Sequence, residues 1–190
     1  MREMTVRRWL FIMVIGLMGS ALSCGVTISN ATPPPAPCPI ESLLVDESVV
    51  PDEWYFSMYG DPTSRFGVEF EKVHFNSQYG GGTQNVYREW TEREAQRGYR
   101  SLVKSWFSPQ GELTEWVLPS ELSYHGLIAD QMQLGCATDI FAKTQRCQFI
   151  AQYGVYVVWF QASMSEVMTY SDFEVVLRDI DRRMAECLAQ

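Results

Sequence analysis

The sequence predicts an α+β domain, with an antiparallel sheet of about five to six strands and two helices packed against it, stapled by two disulfides. Three observations carry that expectation. Residues 131–162 read as a three-stranded antiparallel meander, residues 172–188 as an amphipathic helix, and Cys38, Cys136, Cys147 and Cys187 as two bridges.

In the meander, Met132, Leu134, Cys136 and Thr138 share one strand face, and Cys147, Phe149, Ala151 and Tyr153 share another. A turn centred between Phe141 and Ala142 sets Cys136 opposite Cys147, Leu134 opposite Phe149 and Met132 opposite Ala151. A slip of one residue would turn the whole apolar set toward water. A second turn at Tyr153-Gly154 starts Val155–Ala162, whose Tyr156, Val158, Phe160 and Ala162 extend the same face. On the opposite face these registers set Gln133 beside Ile150 and Val157, and Gly135 beside Gln148 and Trp159. Trp159 with Gln133 and Gln148 is therefore a candidate binding surface, with an indole for contact area and two amides for hydrogen bonds. The competing reading is that a helix or the opening segment covers this face.

Taken in order, the chain begins as an export signal. Met1–Arg8 carries Arg2, Arg7 and Arg8, Trp9–Met18 is apolar apart from Gly16, and small residues follow, so residues 1–23 read as a signal peptide. The apolar run is too short for a permanent membrane span. Ser20-Ala21-Leu22-Ser23-Cys24 resembles a bacterial lipobox, with Ala21 where Leu is usual. Cys24 is then the lipidated first residue of the mature protein, which gives a membrane partner through the lipid. Ala21-x-Ser23 also suits ordinary signal peptidase, so both cleavages stay open. Parity favours lipidation, because five cysteines leave four to pair once Cys24 is used. Removing residues 1–23 moves the formal charge from −8 to −10, since Arg2, Arg7, Arg8 and Glu3 leave. A domain this acidic excludes nucleic acid and is repelled by anionic head groups.

Residues 24–37, with Pro33, Pro34, Pro35 and Pro37, form a proline-rich tether, and residues 38–190 form a single domain. Ile40–Trp54 opens the domain, with Val49–Trp54 as an edge segment. Phe66, Val68 and Phe70 alternate as in a half-buried strand, and Val73 and Phe75 change phase, which predicts a bulge near Lys72. The glycines of Tyr79–Thr83 predict a flexible loop before a helix over 84–97. Ser101–Phe107 and Glu112–Leu118 flank Ser108-Pro109-Gln110-Gly111 as a hairpin. The last helix starts at Asp172, with Ser171 and Glu174 at capping-box spacing.

The four cysteines lack metal-site spacing and suit structural disulfides in an exported chain. The opposed Cys136 and Cys147 form one bridge, which leaves Cys38 to Cys187. Catalytic chemistry has little to work with, because His74 and His125 are the only histidines and neither sits in a nucleophile, metal or phosphate motif. No catalytic residue, cofactor or metal ligand is assigned. Asp179 and Asp181 are read as part of a solvated helix face.

The lipobox-like Cys24, the proline tether, the four cysteines, the run Cys147–Val158 and Ile180-Asp181-Arg182-Arg183-Met184 together resemble uncharacterised bacterial surface lipoproteins. The order of elements is similar to extracytoplasmic lipoprotein domains of the PsbP/Mog1 type and to disulfide-bonded sensor domains of bacterial serine/threonine kinases. That resemblance implies a non-catalytic binding or sensing module, lipid-anchored on the extracytoplasmic side, for an unknown protein or small-molecule ligand. The alternative is a cell-surface hydrolase with a loop-built site around His125.

Overall fold

The computed structural model describes residues 35–57, 68–78, 80–108 and 111–190, all within one compact unit, Pro33–Gln190. The signal segment, Cys24, most of the tether, Phe66, Tyr79 and Pro109-Gln110 lie outside the described residues. The sheet has six antiparallel strands: β1 (Tyr55–Ser57), β2 (Glu69–Ser77), β3 (Gly80–Arg88), β4 (Gln131–Thr138), β5 (Gln145–Tyr153) and β6 (Tyr156–Met164). Their order is β1-β2-β3-β6-β5-β4. Two helices, α1 (Glu92–Trp106) and α2 (Tyr170–Leu188), cover opposite faces, and two 3-10 turns, Ile40–Leu43 and Glu47–Val49, precede the sheet. The α+β class, the sheet size and both disulfides are as the sequence predicts.

The β4–β5 register is the predicted one throughout, with Cys136 opposite Cys147, Leu134 opposite Phe149 and Met132 opposite Ala151. Asp139 builds that turn by accepting hydrogen bonds from the backbone N–H of Phe141 and Ala142 at 2.9 and 2.8 Å. The β5–β6 register differs from expectation by two residues: Tyr153 faces Tyr156, and Trp159 faces Ile150 instead of Gly135's neighbour Gln148. The turn is Gly154-Val155, because Gly154 supplies the positive φ of +56° and Tyr153 is held inside by its hydroxyl. A shift of two keeps every side chain on its face.

Other expectations are corrected. The predicted helix over 84–97 is strand β3 up to Arg88 and helix only from Glu92, where Thr91 caps by accepting from the Glu94 N–H at 3.2 Å. Gly82 belongs to that strand because a Cβ there would lie 2.7 Å from the Trp54 ring. No bulge interrupts β2: every residue from Glu69 to Ser77 pairs with β3, and the phase change records Phe70 packing on Tyr87 on one face while Val73 and Phe75 serve the other. The predicted hairpin over 101–118 is absent, since 101–106 completes α1 and Val117 instead pairs with the β4 residue Cys136. Helix α2 starts two residues earlier than predicted, with the capping box made by Thr169 and Asp172.

The main core lies between the sheet and α2. The helix contributes Phe173, Val176, Leu177, Ile180, Met184 and Cys187, and the sheet contributes Phe75, Val86, Phe149, Val158 and Phe160. The opening segment is pinned beside them by buried Gln84, which accepts from the Val45 N–H at 2.7 Å and donates to the Leu43 carbonyl at 3.1 Å. Arg183 ties the same segment to α2 through Asp46 at 2.7 Å, and Asp179 holds Arg183 at 2.6 Å. Asp179 and Asp181 are therefore not a solvated face, being 7% and 3% exposed. Asp181 accepts from the Tyr124 hydroxyl at 2.7 Å, the Tyr153 hydroxyl at 2.7 Å and the Leu127 N–H at 3.0 Å. Burial, reinforced by this carboxylate, raises both phenols far above their ordinary pKa, so both stay protonated donors.

Two stability outcomes follow. Asp181→Ala leaves two buried phenols and the Leu127 N–H without their acceptor and should cost about 3–5 kcal/mol in urea unfolding, with Asp181→Asn costing less. The Cys38–Cys187 bridge spans a sequence separation of 149. Replacing both cysteines by serine should cost about 2–5 kcal/mol, measured the same way.

Candidate functional site

Helix α1 packs on the second face of the sheet through Ala95 and Tyr99, against Ile150, Val157 and Trp159. Its last turn is fastened there by two contacts. Trp106 stacks on Trp159 with ring centroids 4.3 Å apart, and the Gln148 side-chain amide donates to the Trp106 carbonyl at 2.7 Å. The Trp159 indole N–H donates in turn to Gln148 Oε1 at 3.4 Å.

These contacts overturn the predicted Trp159–Gln133–Gln148 surface. Trp159 is 7% exposed and Gln148 is fully buried, both beneath α1, and only Gln133 remains on the surface. The physical reason is that Ile150, Val157 and Trp159 make this face as apolar as a core face, so it must be covered. Gln148 is not there to meet a ligand; it satisfies the end of α1.

Where α1 leaves the central strands toward β3, a cavity of about 130 Å³ opens between helix and sheet. Its sheet wall is Tyr87, Glu89 and Val157, and its helix wall is Gly98, Ser101, Leu102, Ser105 and Trp106. Gly98 sets the spacing: a Cβ there would lie 3.3 Å from Glu89 Oε1 and 3.9 Å from Val157 Cγ2. A glycine inside a helix costs about 1 kcal/mol relative to alanine, and here it admits the Glu89 carboxylate against the helix.

Polar groups in and beside this cavity are under-satisfied. Glu89 is half-buried, and its carboxylate takes no hydrogen bond or ion pair from any described residue. Desolvation, with the nearby Glu94 charge, raises its pKa above the ordinary carboxylate value, and Arg97 offsets this only in part. Arg97 is paired with Glu94 instead, at 3.4 Å. Asn85, two residues before Tyr87 on the same strand face, is 5% exposed and donates to the Tyr87 hydroxyl at 3.3 Å. Its Oδ1 is buried without a hydrogen-bond partner. Burial raises the Tyr87 phenol, which stays protonated.

The remaining sequence candidates are not brought together here. His125 is exposed on the 120–127 loop, with no hydrogen bond from its ring to any described residue. His74 lies on β2, its Nδ1 2.7 Å from Thr83 Oγ1, with burial and the Lys72 charge lowering its pKa. Cys38 pairs with Cys187, and Cys136 with Cys147. Among the described residues no group of three or more His, Cys, Asp or Glu is placed to hold a metal ion. The cavity residues escaped the sequence reading because it assigned 84–97 to one helix, whereas the cavity needs β3 and α1 as separate walls. The usable signal was Thr91 followed by Glu94, the N-cap spacing that starts α1.

Glu89→Gln tests the electrostatic part of this description. A carboxyl with a raised pKa binds its proton more tightly folded than unfolded, so its stabilising contribution is present below the ordinary carboxylate pKa and is lost as pH rises through the folded value. The variant should therefore gain stability relative to wild type at pH 7 and not at pH 4, by urea midpoint.

No family model matches the chain, and no curated protein matches it. Among solved structures, the extracellular domain of PknH from Mycobacterium tuberculosis is similar to it with a TM-score of 0.49 and 10% sequence identity, covering 80% of this chain and 95% of that chain.

Proposed function

We propose that this protein is a non-catalytic binding or sensing module on the extracytoplasmic side of a cell membrane, anchored by lipid on Cys24, whose ligand enters the cavity between α1 and the sheet. The observation that carries the reading is the cavity itself: largely apolar walls with a few convergent polar groups, among them the Glu89 carboxylate, which no described residue bonds. Pockets that bind small molecules have this composition.

The address rests on separate support. Two buried disulfides hold the domain together, and such bonds form and persist in oxidising compartments outside the cytoplasm. The basic, then apolar, then small-residue start of the chain supplies the export route, and Cys24 supplies the one cysteine outside the two bridges. A hydrolase site around His125 lacks comparable support, because its ring is exposed and no described carboxylate or hydroxyl is bonded to it to form an acid–base pair.

Two measurements test the proposal. Labelled fatty acid should enter the protein in cells and be lost on Cys24→Ala; an unlabelled wild-type protein removes the anchor. In ligand-observed NMR with one-ring fragments, several should bind the wild type and lose their signal with Leu102→Trp, which fills the cavity. Binding indifferent to that substitution would place the ligand elsewhere.

A further inference from the structure

We infer that the cavity between α1 and the sheet takes a small organic cation: one ring or a short alkyl chain carrying an ammonium group. The inference rests on the binding-module reading and adds the chemical class of the ligand.

Size sets the first limit. The cavity of about 130 Å³ is close to the ~150 Å³ that accommodates benzene in an apolar protein interior, so one six-membered ring or its aliphatic equivalent fills it. Leu102, Val157 and the aromatic side chains of Tyr87 and Trp106 give that body an apolar bed. Aromatic faces also attract cations, and more strongly once water is excluded.

Charge sets the second limit. Glu89 lies in the cavity wall with its carboxylate against Gly98, half out of water, and no described residue bonds it. The nearest cation of α1, Arg97, is turned to Glu94. A carboxylate that has lost hydration without gaining a partner is a site that an incoming ammonium compensates. An anionic ligand would add a second uncompensated negative charge. A neutral ring would fill the space and leave the carboxylate as it was. The Ser101 hydroxyl in the cavity wall is a further acceptor, and an ammonium offers three donors. The acidic balance of the whole chain, −8, favours the approach of cations over anions.

The test is a calorimetric titration of the full chain with 2-phenylethylammonium, alongside 2-phenylethanol and phenylacetate as the neutral and anionic compounds of matching shape. The ammonium should bind saturably and about tenfold tighter than the alcohol, with phenylacetate weakest of the three. Glu89→Gln, which keeps shape and loses charge, should erase the tenfold preference. If the alcohol binds and the ammonium binds no tighter, or if Glu89→Gln keeps the preference, the cation inference fails and the binding site stands. If none of the three compounds binds saturably, the site and the inference fall together.

Discussion

The structure depends on one constraint, that β5 and β6 are apolar on both faces. Phe149, Ala151, Tyr153, Val158 and Phe160 are fully buried on one side, and Ile150, Val157 and Trp159 are buried on the other. Antiparallel sheets commonly leave one face to water, and these two strands cannot. A cover is therefore needed on each side, which α2 with the opening segment provides on the first and α1 on the second. The three-layer arrangement, and the placement of β5 and β6 inside the sheet with a strand on each side, satisfy the same requirement.

The two covers are attached differently, and that difference creates the candidate site. The α2 layer is cross-linked by the Cys38–Cys187 bridge, the Asp181 hydrogen bonds, the Arg183 pairs and the Gln84 amide. These groups answer one another, so their charges and amides are spent within the layer. The α1 layer is held at the end of the helix by the Trp106–Trp159 stack and Gln148, and near its start by a longer contact from Gln152 to the Glu92 carbonyl at 3.4 Å. One helix cannot cover a sheet of six strands. Along its β3 side the cavity remains, lined by Tyr87 and by Glu89, whose carboxylate no described residue bonds.

Buried polar residues thus separate into two sorts by whether they are satisfied. Asp181, at 3% exposure, is a structural group although it is an acid in the core, because three donors converge on it. Glu89 is less buried, yet its carboxylate takes no hydrogen bond or ion pair from any described residue, and Arg97 compensates its charge only in part. Burial alone would have ranked them the other way.

What the sequence determined by itself was local or periodic. Alternation with a period of two fixes the β4–β5 register and hence the Cys136–Cys147 bridge, since a slip of one residue would expose the apolar set. The stripe from Phe173 to Cys187 determines which face of α2 is buried, and parity then joins Cys38 to Cys187. Tertiary structure decided everything that turns on which segments meet. Gln84, Val86 and Arg88 suit a helix as well as a strand, and β6 and β2 on either side make them strand β3. The sequence shows that Trp159 lies opposite the main core face, and only the docking of Trp106 decides that it is inside. Asp179 and Asp181 read as surface charges, although Asp179 pairs with Arg183 one turn along the same helix, and Tyr124 and Tyr153 come from distant positions to satisfy Asp181. The cavity belongs wholly to this second kind, because its walls come from β3, β6 and α1, and a space between elements exists only once they are packed.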